Sequence, residues 1–390
     1  MKKTFCITLA LILTLALSAC GKTDSPAPAV SENVPSDVAA VPPSDGQQTQ
    51  PISQTGTSCA FDPALFGGKI RCCAYAGNGT LFVLADKLYL YDTGTSSVLA
   101  TAEAPLHNFE AQAVDGGYIL SGMGDSGMMV YIYDSALSLN KEIAVDALLQ
   151  EDFVVSETGG AAASTDGKKL AFAALGGLYL YDLESGTLTT LLDVTQNAGT
   201  DSISVSMLNG AAFTQDNSQI VFFGSGSSIP AADGEEDFSI YGSIAVDGSG
   251  LMLTKSSGYE IEEMQSSVSR LFFPQTFTQA DGTLLWLDRA TGRADTLSFS
   301  DSGEGKDGVY SSEQGNFVAA AVLGSNLTVR VYDVASGELI ATEVIEDSDS
   351  TYFNRIPRIY LLDEAKTAVV VLGGSISEID TLVSTFEFGA

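Results

Sequence analysis

The sequence predicts an all-β fold, and three observations lead to it. Short stretches of alternating apolar residues recur along the chain, many end in an aspartate, and most are followed by a turn that contains glycine. These stretches are enriched in β-branched and aromatic residues, and helical periodicity is nearly absent from them. A period of about 45 residues that holds four short strands is typical of a ring of sheets. We therefore predict a seven-bladed β-propeller of four-stranded antiparallel blades over residues 59–390.

Seven copies of the repeat account for this length. The clearest copies are the stretches Leu88–Asp92, Val130–Asp134, Leu178–Asp182 and Val329–Asp333, with Leu284–Asp288 as a looser copy. A gap of 106 residues between Asp182 and Asp288 leaves room for a divergent copy, for which Ile244–Asp247 is the candidate. The last copy is predicted at Leu382–Phe388. Because a single blade exposes apolar faces, we expect the seven blades to stack and bury them.

A short apolar segment precedes this repeat region at the N-terminus. Two lysines come before the stretch Phe5–Ala16, and the four residues Leu17-Ser18-Ala19-Cys20 follow it. The stretch is shorter than the ~20 residues that a membrane span needs, and the small residues before the cysteine fit a signal peptidase. The pattern resembles a bacterial lipoprotein signal. The resemblance implies that residues 1–19 are removed and that Cys20 carries lipid, including palmitate-like acyl chains.

The predicted anchor determines where the rest of the chain is expected to lie. Lipidated Cys20 would insert into the lipid bilayer and hold the protein on the extracytoplasmic face of the cell membrane, or of an outer membrane where the organism has one. Residues 20–58 are rich in Ser, Pro, Ala and Thr and contain no aromatic residue. Such a composition cannot bury a core, so we predict a disordered tether.

Cysteines near the start of the repeat region suggest how the ring is closed. The last blade lacks room for an outer strand after Phe388, and the segment around Cys59–Phe66 is the candidate for that strand. In an oxidising compartment Cys59 could pair with Cys72 or Cys73. Adjacent residues of a strand point to opposite faces, so only one of the two is placed for this pairing. Three free buried thiols are the alternative.

The turns of the repeat resemble those of a known group of propellers. The Tyr-Asp-x-x-x-Gly turns, such as Asp182–Gly186, and the Asp-Gly hairpin at Ser164–Lys168 are similar to those of bacterial WD-repeat, YVTN and TolB-like propellers. The Gly-His step and the Trp-Asp pair of the full WD signature are absent. The resemblance implies a propeller fold and, for most such proteins, a role as an interaction platform.

Charge and composition limit the classes of partner and chemistry. The chain has 18 Lys and Arg against 49 Asp and Glu, a formal charge of −31. Nucleic acid is therefore not expected as a partner, because binding it needs clustered basic residues. The single histidine, His107, lies in a stretch that we interpret as a connection between blades. We predict no catalytic residue, no metal ligand and no cofactor.

Two short motifs invite a functional interpretation that the repeat does not favour. Gly122–Gly127 matches the glycine pattern of dinucleotide-binding loops, but it lies between two strand-like stretches, so we predict a hairpin turn. The acidic segment Asp301–Gly308 lacks the spacing of a calcium-binding loop. Asp233–Asp237 is more acidic and interrupts the repeat, which leaves a weak calcium site and a calcium-stabilised structural module as one alternative.

Two long departures from the repeat are the candidates for binding. They are Gly226–Phe238 and Ser256–Gln275, and loops carry function more often than blade cores do. In and beside the second, Arg270, Phe272, Phe273 and Phe277 form a candidate interface, because Arg and aromatic residues favour interface centres; an ordinary inner strand is the alternative. We predict a scaffold that binds an envelope protein or a glycan. A lactonase-like or lyase-like enzyme is the other class, and it would show paired carboxylates at the channel mouth.

Overall fold

The computed structural model describes residues 61–389, apart from positions 105, 107–108, 125–126, 150–160, 175, 197, 231–236, 257–259, 275–282, 301–306, 325, 346–356 and 373–381. The chain separates into two units, residues 1–56 and 57–390, and the first lies outside the described residues. The second unit consists almost entirely of antiparallel sheet.

The strands follow one another in seven consecutive sheets. Blades 1 and 2 comprise β1 Cys72–Gly77, β2 Thr80–Leu84, β3 Leu88–Asp92, β4 Ser97–Ala102, β5 Glu110–Val114, β6 Gly117–Gly124, β7 Gly127–Asp134 and β8 Leu139–Ala144, followed by the short helix α1 Val145–Leu149. Blades 3 and 4 comprise β9 Ala162–Ala163, β10 Lys169–Ala174, β11 Gly177–Asp182, β12 Leu188–Asp193, β13 Ile203–Phe213, β14 Gln219–Ser228, β15 Phe238–Ala245 and β16 Met252–Lys255.

The remaining strands form the last three blades. Blades 5 and 6 comprise β17 Gln265–Ser266, β18 Arg270–Phe273, β19 Thr283–Asp288, β20 Ala294–Ser298, β21 Gly308–Ser311, β22 Phe317–Leu323, β23 Leu327–Asp333 and β24 Leu339–Ile345. Blade 7 comprises β25 Arg358–Leu362, β26 Thr367–Leu372 and β27 Leu382–Glu387. Two one-turn 3-10 helices lie at Pro63–Leu65 and Val194–Gln196.

Each sheet pairs its strands in sequence order, so the architecture is a seven-bladed propeller. Six sheets have four strands, and blade 7 has three among the described residues. The predicted repeat is confirmed, because its seven copies coincide with the third strands of the blades or, for Ile244–Asp247, with the end of β15 and its turn. The stretch Gly122–Gly127 joins β6 to β7, and Gly124 pairs with Gly127, which confirms the predicted hairpin.

The core of the described region consists of seven apolar clusters, one for each interface between neighbouring blades. Successive residues of the second strands enter different clusters: Phe222 packs toward blade 3 and Phe223 toward blade 5. This follows from the alternation of side chains along a strand. Because both faces of a blade are covered, these strands read as continuous apolar runs rather than alternating ones.

A recurrent turn connects the third and fourth strands of several blades. The side chain of Asp288 accepts hydrogen bonds from the backbone of Ala290 and Thr291, at 3.1 and 2.8 Å. Gly292 then adopts a positive φ of 68°, which favours glycine because it has no Cβ. Equivalent bonds form at Asp182 and Asp333. The aspartate of the repeat is therefore a turn-stabilising residue.

We expect Gly292→Ala to destabilise the fold by about 1 kcal/mol, the cost of a side chain in left-handed backbone. A Cβ at this position would meet nothing within 4 Å, so the effect isolates backbone strain. Gly324→Ala is the matched control, because Gly324 is an exposed turn glycine for which no positive φ occurs. Urea unfolding of both variants measures the difference, and equal stabilities would contradict the strain argument.

The predicted closing strand is wrong for residues 61–66. Pro63 begins a 3-10 helix whose first turn is capped by Asp62, which accepts a hydrogen bond from the Ala64 amide at 2.9 Å. Proline lacks the N–H that a strand would need, so a turn replaces the strand. Phe61 and Phe66 instead pack into the cluster between blades 1 and 7. Aromatic packing therefore joins this segment to the closing interface.

Candidate functional site

The first strands of the blades surround the axis of the ring. Neighbouring first strands contact one another: β1 with β5, β5 with β9, β9 with β13, β17 with β21, β21 with β25, and β25 with β1. Within each blade the strands alternate in direction. Consequently all first strands begin on one face, which we call the mouth face, and their starting residues surround the entrance of the central channel.

The two faces of the ring differ in the length of their connections. Turns from first to second and from third to fourth strands lie on the opposite face and have at most six residues. The mouth face carries the other connections, of which the longest, 145–161, has 17 residues. By strand direction, both long departures identified in the sequence begin and end on this face. Binding residues lie on such loops more often than on the scaffold.

Four polar residues from four blades lie at the start of first strands on the mouth face. Glu110 begins β5, Arg358 begins β25, Glu263 precedes β17 by two residues, and Tyr310 lies within β21. We call these four residues the mouth cluster. Sequence reasoning missed them, although a charged residue at the first position of a predicted inner strand was the available signal.

The carboxylates of the mouth cluster are electrostatically unfavourable. Burial, and secondarily the charge of Glu263, raise the pKa of Glu110 to about 7, while Arg358 opposes this. The side chain of Glu110 nevertheless keeps solvent-accessible surface. Surrounding protein and access to solvent together describe a group that lines a channel. Burial also raises the pKa of Glu263, against the effects of a hydrogen bond from Gln265 and of Arg358.

Hydrogen bonds hold the neighbouring side chains in place across blades 5 and 6. Gln265 donates from Nε2 to Glu263 Oε1 at 3.1 Å and to the carbonyl of Val309 at 2.7 Å. Its Oε1 accepts from the amide of Ser311 at 2.8 Å. The hydroxyl of Tyr310 donates to the carbonyl of Pro357. The mouth cluster is therefore supported by contacts between blades rather than by one flexible loop.

Arg358 connects the mouth cluster to blade 1. Burial would lower its pKa, but nearby Tyr360 and Cys72 raise it. The hydroxyl of Tyr360 accepts a hydrogen bond from the amide of Cys73 at 3.2 Å. The guanidinium charge acts on Glu110 and Glu263 as well. Arg358 thus shares its charge among several groups.

Cys72 and Cys73 are buried free thiols on opposite faces of β1. Cys72 packs between blades 1 and 2, and Cys73 between blades 1 and 7. Burial raises the pKa of Cys72 to about 11, and it also raises that of Cys73. Such thiols stay protonated and unreactive at neutral pH. Cys59 lies outside the described residues, so its pairing stays a prediction.

The candidate interface at Arg270, Phe272, Phe273 and Phe277 needs correction. Phe272 and Phe273 are fully buried in β18, where they pack toward blades 6 and 4 respectively, so a partner cannot reach them. The guanidinium of Arg270 lies 4.8 Å from the ring centre of Trp286 and donates to the Gly315 carbonyl at 2.5 Å. Cation–π stacking and interblade packing explain this patch. Phe277 lies outside the described residues.

Several other candidates fall wholly or partly outside the described residues. They are His107 and most of the acidic segments Asp233–Asp237 and Asp301–Gly308. Of these, Asp307 accepts a hydrogen bond from the Leu323 amide at 2.6 Å beside the sheet of blade 6. Within the described ranges, no group of three or more His, Cys, Asp or Glu side chains is arranged to hold a metal ion. No helix in those ranges is long and apolar enough to cross a membrane.

Comparison with known proteins supports the fold alone. No protein-family model matches the chain, and no curated protein matches it. Among solved structures, the chain is similar to the β-propeller domain of Cps50 (Swd1) from Myceliophteria thermophila, with a TM-score of 0.52 and 12% identity. The similarity covers 79% of this chain and 94% of that domain. The chain therefore has a WD-repeat-like seven-bladed propeller fold.

Proposed function

We propose that this chain is a membrane-anchored extracytoplasmic lipoprotein whose propeller binds an envelope protein or a glycan through the mouth face. The difference between the two faces of the ring carries this proposal. Long connections and the mouth cluster occur on one face, while short turns occupy the other. A rigid ring that presents varied loops around a polar opening is suited to binding.

The anchoring part of the proposal rests on the sequence. Leu17-Ser18-Ala19-Cys20 has the residue types of a lipoprotein signal, and residues 20–58 have the composition of a flexible tether. About 37 residues of coil span roughly 35 Å on average. A propeller on such a tether would reach partners above the bilayer. The charge of −31 favours partners with basic surfaces and disfavours nucleic acid.

Crosslinking in intact cells, followed by affinity capture and mass spectrometry, tests this function. We expect the wild type to capture one dominant envelope partner and Cys20→Ala to lose it, because the substitution removes the lipid attachment. Cys6→Ala is the matched control, since it makes the same change within the apolar stretch and leaves Cys20 intact. The proposal fails if the wild type captures no specific partner, or if Cys20→Ala captures the same partner equally well.

A carboxylate-based enzyme is the second candidate function. The pKa of Glu110, which burial raises to about 7, lies in the range that suits a general acid or base near neutral pH. Glu263 supplies a second carboxyl group near it, as a lactonase-like or lyase-like site would require. Assays on lactone and glycan substrates would favour this candidate if turnover were lost in Glu110→Gln.

A further inference from the structure

We propose that the mouth cluster is a binding site for a cationic side chain, a lysine or arginine that a protein partner inserts at Glu110 and Glu263. This inference rests on the proposed binding function and names the chemistry of the partner. It concerns only residues that the structure describes. The argument has three steps: the placement of the site, its balance of charge, and the exclusion of anionic ligands.

The placement comes from the topology of the ring. Glu110 belongs to blade 2, Glu263 to blade 5 and Arg358 to blade 7, and all three lie near the starts of first strands. The charges of Glu263 and Arg358 both act on Glu110, so side chains from separated blades converge at the channel entrance. Among the described residues, Glu110 has no hydrogen-bond or salt-bridge partner. It is an accessible carboxylate within a concave site, without a partner of its own.

The balance of charge at Glu110 favours an added cation. Burial penalises its ionised form most, repulsion by Glu263 comes next, and attraction by Arg358 is the weakest of the three effects. On the neighbouring strands, β6 places Ser121 opposite Glu110, and β9 contributes only Ala162 and Ala163. A cation beside the two carboxylates would relieve both the burial penalty and their mutual repulsion.

Two nearby basic residues do not reverse this balance. Arg358 already acts on Tyr360, Cys72 and both carboxylates. Arg71, which precedes β1, acts on the thiol of Cys72 and is not among the groups that shift the pKa of Glu110. An anionic ligand would add repulsion to a site whose carboxylates already repel each other. The negative charge of the whole chain also draws cations toward it and repels anions.

Titration with an acetylated hexalysine peptide in 150 mM salt tests the inference by calorimetry. A carboxylate with a pKa of about 7 is about 10% ionised at pH 6 and about 90% ionised at pH 8. The peptide stays fully charged over this range. We therefore expect the wild type to bind it about tenfold more tightly at pH 8. Glu110→Gln should lose this pH dependence and bind weakly at both values.

Two further variants separate the site from general attraction to an acidic surface. Glu184→Gln removes the same charge from an exposed turn on the opposite face and should bind like the wild type. Arg358→Gln removes the competing cation and should bind more tightly, a change that loss of structure would not produce. Equal weakening by Glu110→Gln and Glu184→Gln, or an affinity that does not change with pH, would overturn the inference.

Capture in cells distinguishes this inference from the proposed function. We expect the anchored Glu110→Gln variant to lose the partner that the wild type captures. If both capture the partner equally, the scaffold function stands and the cationic-side-chain site is wrong. If the wild type captures nothing, the scaffold function fails, while the peptide titration still decides the charge preference of the mouth cluster.

Discussion

Truncating Phe61 to alanine is expected to lower the free energy of unfolding by about 3–5 kcal/mol. The side chain is 1% exposed and fills the cluster between blades 1 and 7. Its ring centre lies 5.4 Å from those of both Phe66 and Tyr91, and it meets Tyr91 edge to face. Removing the ring leaves a cavity and loses these contacts at the interface that closes the propeller.

Thermal unfolding of the full chain measures this effect. At roughly 2 °C for each kcal/mol in a domain of this size, the melting temperature of Phe61→Ala should fall by roughly 6–10 °C. Leu65→Ala is the matched control, because Leu65 lies in the same segment and is 44% exposed. It should change stability by less than about 1 kcal/mol. A loss of stability that is equal in both variants would show that the segment does not close the ring through Phe61.

Glu313 should make the stability of the protein depend on pH near neutrality. Only 7% of this residue is exposed, and its carboxylate accepts hydrogen bonds from the Gly79 amide at 3.2 and 3.4 Å. Burial, assisted by the charges of Asp363 and Glu364, raises the pKa of Glu313 from 4.5 to about 7, although the Gly79 hydrogen bond opposes this. The interaction joins blade 6 to the first turn of blade 1, next to the closing interface.

The sign of the pH effect follows from the direction of this shift. A carboxyl group whose pKa is higher in the folded state binds its proton more tightly there than in the unfolded state. Its contribution to stability is complete below about pH 4.5 and is lost as the pH rises through 7. Allowing for partial screening by solvent, we expect the loss to be about 2 kcal/mol between pH 5 and pH 8.

Urea unfolding at pH 5 and pH 8 checks this prediction. Glu313→Gln keeps the shape and one acceptor oxygen but cannot ionise, so its stability should change less between the two values than that of the wild type. Glu338→Gln, an exposed residue in a turn of the same blade, should retain the wild-type slope. If Glu313→Gln also retains that slope, burial of this carboxyl group is not the source of the pH dependence.

The repeat was readable from the sequence because blade geometry imposes a local pattern. A third strand that ends in aspartate and a turn that needs glycine at positive φ recur together, as at Asp288 and Gly292. The failures occurred where the outcome depended on distant residues. Phe272 and Phe273 suggested an exposed patch, and only the stacking of blades 4 and 6 on β18 explains their burial.

The sequence by itself determined the class of fold, the number of blades and the position of each third strand, since these depend on alternation and turn chemistry within some 45 residues. It also supplied the lipoprotein-like signal, which is a local motif. The tertiary structure alone decided which residues meet at the axis and which close the ring. Glu110 and Glu263 are 153 positions apart, and Phe61 packs with strands near the other end of the chain. Such contacts arise because a circular fold brings together residues that no local pattern relates.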